Sequence, residues 1–157
     1  VAKLGESIFN GCSSLIEITI PSSLSSIENS FFNECSSLKQ VIIPSSVCSI
    51  GLGAFNNCKK LKFVSFEKPS SLNVIEDSTF LNCQSIDQII IPDSVTEIQD
   101  NAFLNCISLN LISISANVTS FGCNIFEGVQ KLEIFCKLNY IPKNLFSNNS
   151  SLLDELI

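Results

Sequence analysis

IPDSVTEIQDNAFLNCISL, from Ile91 to Leu109, is the stretch that decides how this chain folds, because an earlier stretch nearly repeats it: IPSSVCSIGLGAFNNCKKL, from Ile43 to Leu61. Internal repeats of 20–50 residues point to solenoids and related arrays, and the rest of the chain follows the same columns. Phe recurs at Phe9, Phe32, Phe55, Phe80, Phe103, Phe126 and Phe146, in steps of 23, 23, 25, 23, 23 and 20. Cys follows three residues later at Cys12, Cys35, Cys58, Cys83 and Cys106, then an apolar residue at Leu15, Leu38, Leu61, Ile86 and Leu109. Further apolar columns run through Ile18/Ile20, Val41/Ile43, Val64/Phe66, Ile89/Ile91 and Ile112/Ile114, through Leu24, Val47, Leu72, Val95 and Val118, and through Ile27, Ile50, Ile75, Ile98 and Phe121. The last column before each Phe holds Phe31, Ala54, Thr79, Ala102 and Ile125.

The chain therefore reads as one array over residues 1–157. A partial repeat spans 1–8, repeats start at residues 9, 32, 55, 80, 103 and 126, and a partial repeat spans 146–157, as in a fragment of a longer chain. Two units are irregular. Glu67 and Lys68 form a two-residue insertion, which a loop tolerates at small entropic cost. The unit from Phe126 is about three residues short, has Val129 at the Cys position and leaves its strand register around Leu132 to Cys136 open.

Within a unit, Ile18-Thr19-Ile20 and its equivalents alternate apolar and polar residues, which predicts a short strand. Pro21, Pro44 and Pro92 end it by removing a ladder donor. The residues before each Phe, such as Glu28-Asn29, Glu76-Asp77 and Asp100-Asn101, suit the start of one helical turn. A single unit buries too little to fold alone; stacked units share strand hydrogen bonds and a continuous core.

The composition excludes several functions. Charged residues are only 15%, the formal net charge is -6, and all nine basic residues are Lys. A nucleic-acid partner calls for a basic face and forked guanidinium groups, and neither is present. The absence of His removes the commonest general base and metal ligand. No apolar run is long enough for a membrane span. No catalytic residue, metal ligand or cofactor site is assigned. Gly51-Leu52-Gly53 lacks the third Gly of a dinucleotide fingerprint, and the Cys column lacks the Cys-x-x-Cys pairs of a zinc site. Equivalent Cys in stacked coils would lie slightly too far apart for disulfides, so the column is read as buried free thiols. Lys59, Lys60 and Lys62 read as a solvated basic loop.

The longer pattern Ile-Pro-x-Ser-Val-x-x-Ile-x-x-x-Ala-Phe-x-x-Cys-x-Ser-Leu resembles the 23-residue, Treponema pallidum-type class of leucine-rich repeat, typified by the BspA-like surface proteins of bacteria and parasitic protozoa. The resemblance implies a curved right-handed solenoid. Its concave face would carry a parallel β-sheet, and its convex side short turns and helical turns. It also implies a secreted or cell-surface binding protein, with an extracellular-matrix or other host surface protein as partner. The sequons at Asn117, Asn148 and Asn149 favour that location mildly. The alternative is a cytoplasmic scaffold within a larger signalling protein, which free thiols favour.

Binding is expected on the concave strands, where residues alternating with the core columns face outward: Glu17/Thr19, Gln40/Ile42, Phe63/Ser65, Gln88/Ile90 and Leu111/Ser113. Ile42, Phe63, Ile90 and Leu111 are large, apolar and drawn from four successive units, so they form one diagonal or zigzag patch. Gln40, Gln88 and Glu17 supply its polar rim. Val1, Leu4 and Ile8 at one end, and Leu152, Leu153, Leu156 and Ile157 at the other, do not read as caps, which predicts self-association through terminal coils.

Overall fold

The computed structural model describes residues 4–136 and residue 145. Val1, Phe146, the partial repeat 146–157 and the sequons at Asn148 and Asn149 lie outside the described residues. The described chain is a leucine-rich-repeat solenoid in which every strand is parallel to its neighbour in the stack. In chain order the strands are β1 (Ser26–Ile27), β2 (Gln40–Ile43), β3 (Ser49–Ile50), β4 (Phe63–Phe66), β5 (Val74–Ile75), β6 (Gln88–Ile90), β7 (Glu97–Ile98), β8 (Leu111–Ile114), β9 (Ser120–Phe121) and β10 (Glu133–Cys136). The even-numbered strands are the alternating segments read from sequence, and they carry the outward residues. The odd-numbered ones build a second, narrower ladder. To the long-strand ladder the first unit contributes only a bridge, Glu17 to Gln40.

The register follows the columns. Val41 lies beside Val64 and Ile43 beside Phe66, and Ile89 lies beside Ile112. These inward residues join the Cys, Leu and Phe columns in one core that runs the length of the stack. Its spine is a file of Phe rings. Phe9–Phe32, Phe32–Phe55, Phe55–Phe80, Phe80–Phe103 and Phe103–Phe126 are stacked, with centroids 5.4, 5.2, 5.5, 5.4 and 5.9 Å apart.

The segment expected to be a helical turn is instead a pair of tight turns. Two columns carry left-handed backbone. One holds Ser7, Ser30, Gly53, Ser78, Asn101 and Asn124, and the other Gly11, Glu34, Asn57, Asn82, Asn105 and Gly128. A positive φ every few residues interrupts any run of right-handed turns, and Asn and Gly tolerate it best. The turns bond across coils instead: the Phe32, Phe55 and Phe80 N–H groups donate to the carbonyls of Ala54, Thr79 and Ala102 in the next coil. Side-chain amides add a rail, Asn105 Nδ2 to Asn82 Oδ1 and Asn82 Nδ2 to Asn57 Oδ1, each 3.0 Å.

The insertion does more than lengthen a loop. Both ladders divide at the same junction: β2–β4 is separate from β6–β8–β10, and β1–β3 from β5–β7–β9. The turn side stays bonded there, with the Asn57 N–H donating to the Leu81 carbonyl at 2.8 Å. The coils are therefore bonded at their turns, while their strands stay neighbours without a shared ladder.

Candidate functional site

Two columns of outward side chains cover the long strands. The first runs Glu17, Gln40, Phe63, Gln88, Leu111, Glu133, and the second Thr19, Ile42, Ser65, Ile90, Ser113, Phe135, as the strand registers and the repeat give them. Each coil from the second onward places one large apolar residue, and successive coils alternate columns: Ile42, Phe63, Ile90, Leu111, Phe135. Ile42, Phe63, Ile90 and Phe135 are 57%, 53%, 67% and 64% exposed. Leu111 is half-buried, while Glu17, Gln40 and Gln88 are exposed. Exposed apolar clusters of this kind on a folded domain mark contact surfaces.

Sequence reading had missed Phe135. The short unit hides its register, which is set only by β10 pairing with β8 so that Phe135 stands beside Ser113. An aromatic two residues after an acidic one, Glu133, was the available signal.

Charge on this face is sparse. Glu17 and Glu133 stand in the first and last described coils, five strand spacings apart or on the order of 20 Å, so they cannot act as a catalytic pair. Lys62 lies over the Phe63 ring, 5.4 Å from its centroid, and its Nζ is 3.5 Å from the Asp87 carboxylate. Of the basic trio, Lys62 is thus engaged rather than merely solvated, and it reaches across the divided junction.

Beside Phe63, that junction opens into a cleft of about 620 Å³. Phe63 and Phe66, Pro69 of the inserted loop, and Ile90, Pro92 and Ser94 of the next coil line it. A second hollow of about 470 Å³ lies at the foot of the face between Glu17, Gln40 and Ile42.

The Cys column serves the core. Cys35, Cys58, Cys83 and Cys106 are wholly buried. Each thiol donates to the carbonyl of the Phe one coil back, at 3.1 Å: Phe9, Phe32, Phe55 and Phe80 respectively. Burial pushes the Cys35 thiol up to about 11 and the Cys106 thiol up to about 12. It drives Cys58 and Cys83 strongly the same way, with neighbouring thiols adding to the shift. Protonated thiols are neither nucleophiles nor metal ligands. Among the described residues no group of three or more His, Cys, Asp or Glu side chains converges.

A family model described as a BspA type leucine rich repeat region matches six copies over residues 1–106 and 62–156. Similar solved structures include a leucine rich cell surface protein from Faecalibacterium prausnitzii, at 30% identity and a TM-score of 0.69. The match covers 83% of this chain and 34% of that one. The leucine rich repeat protein of T. pallidum is 30% identical, with a TM-score of 0.68 and coverage of 74% and 57%. A leucine-rich repeat protein from Bacteroides ovatus is 25% identical, with a TM-score of 0.65 and coverage of 89% and 40%. This chain therefore spans between about a third and a little over half of the length of those proteins. No curated relative matches it.

Proposed function

The chain belongs to the BspA-type leucine-rich-repeat family, and on that premise we propose that it binds a protein partner through its strand face, as one part of a cell-surface adhesin. The observation that carries the reading is the unbroken alternation of Ile42, Phe63, Ile90 and Leu111 on the outward side of four successive long strands. Evolution of a merely solvated sheet would favour polar side chains there. Solenoids commonly bind through such extended faces, and interface energy concentrates in a few aromatic or large apolar anchors. Phe63, held under Lys62, is the anchor, and Gln40, Gln88 and Glu17 form a rim. The cell-surface assignment draws on the F. prausnitzii structure, described as a leucine rich cell surface protein.

A binding role rather than an enzymatic one is supported by the protonated thiols and the scattered carboxylates of the face. The cytoplasmic alternative rested on free thiols. Thiols sealed in the core and bonded to carbonyls persist in either compartment, so only the exposed Cys48 and Cys123 still favour it.

The test is direct binding of the purified chain to immobilised matrix proteins and other host surface proteins, wild type against Ile42→Ser/Ile90→Ser. Loss of binding by a folded double variant supports the reading. Undiminished binding moves the site off the strand face.

A further inference from the structure

We infer that the cleft between β4 and β6 receives an extended peptide segment of a partner protein, one that seats a large apolar side chain between the two coils. This rests on the protein-binding reading above and specifies its mode.

The backbone edges facing the cleft lack their usual partners. Elsewhere the Lys62 N–H donates to the Lys39 carbonyl at 2.9 Å, and the Asn110 N–H to that of Asp87 at 3.0 Å. The corresponding bond from Asp87 to Lys62 is missing; only their side chains meet. The N–H groups of Phe63 in β4 and of Glu67 just past it bond back to Lys39 and Ile43, and that of Ile91, just past β6, bonds forward to Ser113. A strand's backbone groups alternate sides with a period of two. Val64 and Phe66 on one lip, and Gln88 and Ile90 on the other, therefore turn their amides and carbonyls toward the gap. Free strand edges are templates for another chain.

The gap also reaches the core. Val64 is 8% exposed where its equivalents Val41, Ile89 and Ile112 are 1%, 2% and 0%. Phe66 is only partly buried where Ile43, Ile91 and Ile114 are sealed. One stitch has been dropped as well. Ser46 Oγ donates to the Leu24 carbonyl of the previous coil at 2.7 Å, but its equivalent Ser94, lining the cleft, has a buried Oγ with no partner.

The cause is the insertion. The Glu67 carboxylate accepts from the Ser45 N–H at 3.1 Å, tying the inserted arm to the preceding coil. The Phe55–Phe80 stack and the bonded turns keep the far side closed.

A volume of about 620 Å³ suits a specific ligand pocket. Its rim carries both signs, Glu67 and Asp93 against Lys68, which matches an uncharged backbone better than a polyanion or polycation. An unpaired backbone edge above an apolar floor fits an extended segment with one large side chain, rather than a bare hydrocarbon. Phe63 and Ile90 belong to both cleft and zigzag, so the segment would be continuous with the wider contact face.

The probe is a capped heptapeptide, Thr-Val-Thr-Phe-Thr-Val-Thr, followed by amide NMR on the isotope-labelled chain. We expect shifts and slowed exchange at Val64, Phe66, Gln88 and Ile90, and affinity at least about tenfold weaker when the central Phe is Ala. Ser94→Leu, which fills the floor, should weaken binding by a similar factor. So should deletion of Glu67 and Lys68, which restores the 23-residue spacing and lets the ladders join. Absence of shifts at millimolar peptide overturns the inference. Equal binding by a backbone N-methylated peptide also overturns it, leaving only an apolar small-molecule pocket. Ile107→Ser, on the turn side and outside both the cleft and the strand face, should bind peptide normally. If peptide binding fails while Ile42→Ser/Ile90→Ser still abolishes matrix-protein binding, only this inference falls. The converse pattern removes only the strand-face reading.

Discussion

The carbonyl oxygen of Phe32 accepts two hydrogen bonds, one from the Cys35 N–H in its own turn and one from the Cys58 thiol in the next coil, each at 3.1 Å. The arrangement repeats at Phe9, Phe55 and Phe80, with Cys12/Cys35, Cys58/Cys83 and Cys83/Cys106 as donors. Each Cys side chain thus fills the core as a small apolar residue and also pins its coil to the one before.

That geometry sharpens the expected cost of Cys58→Ser. An unpartnered buried hydroxyl costs up to about 3 kcal/mol. Here the Phe32 carbonyl already stands in place to accept the new hydroxyl, so the loss should be nearer ~1 kcal/mol, measured by denaturant unfolding. A loss near ~3 kcal/mol would mean that the shorter side chain cannot reach the carbonyl.

Stability should fall in alkali. The buried thiols have folded values raised above the ordinary ~8.5, about 11 for Cys35 and about 12 for Cys106. Above that ordinary value the unfolded chain releases protons that the folded chain still holds, so stability declines with rising pH. The thiol contribution is complete below about pH 8.5 and is lost as pH climbs through the folded values. Unfolding midpoints at about pH 7.5 and about pH 10, compared between wild type and Cys83→Ala/Cys106→Ala, check this. The wild type should show the steeper decline. In the same pH range Cys48 and Cys123, both exposed, should alkylate quickly and the buried four only on unfolding.

The Phe spine makes a different demand. Phe80 is sealed between Phe55 and Phe103, at 5.5 and 5.4 Å. Phe80→Ala should therefore cost about 3–5 kcal/mol through the cavity left in the stack. Thr19 is exposed in the first coil, and Thr19→Ala should change stability within about 0.5 kcal/mol. Comparable losses at the two positions would mean the inward and outward faces are misassigned.

Gly51 tests the corners. A Cβ there would stand 2.7 Å from the Asn29 backbone nitrogen, and Asn29 Oδ1 accepts the Leu52 N–H at 2.9 Å. Gly51→Ala must push two coils apart at a hydrogen-bonded seam, at about 1–3 kcal/mol. An unchanged melting temperature would show that the seam yields freely.

Most of the architecture was legible because a solenoid makes sequence neighbours at one period into spatial neighbours. Phe9, Phe32 and Phe55 touch because they occupy one column, and reading the column is reading the contact. The turns were misread for a local reason. Glu28-Asn29 and Asp100-Asn101 look like helix starts, yet Ser30 and Asn101 adopt positive φ, and the recurring Ser, Asn and Gly in that column were the better guide. Phe135 was lost because a short unit erases column position, and only pairing with β8 restores it. The cleft was unreadable for a deeper reason. The entropy of a two-residue insertion is small, and nothing in that estimate says that the extra length would be taken up by parting both ladders while the turns stay shut.

Phe63 is where fold and binding can be separated. It is 53% exposed, it is absent from the core, and Lys62 lies over its ring at 5.4 Å. Phe63→Ala removes little buried area, so stability should drop by no more than about 1 kcal/mol. If Phe63 anchors a partner, the same change should weaken binding by about 2 kcal/mol or more, whereas Glu17→Ala and Gln88→Ala at the rim should each cost under about 1 kcal/mol. Titration calorimetry against a matrix protein that binds the wild type, with thermal melts run alongside, reads both effects. A Phe63→Ala chain that melts early would show that the exposed ring props the strand junction. A chain that folds and binds undiminished would leave Ile90 and Phe135, in the other column, as the anchors to test next.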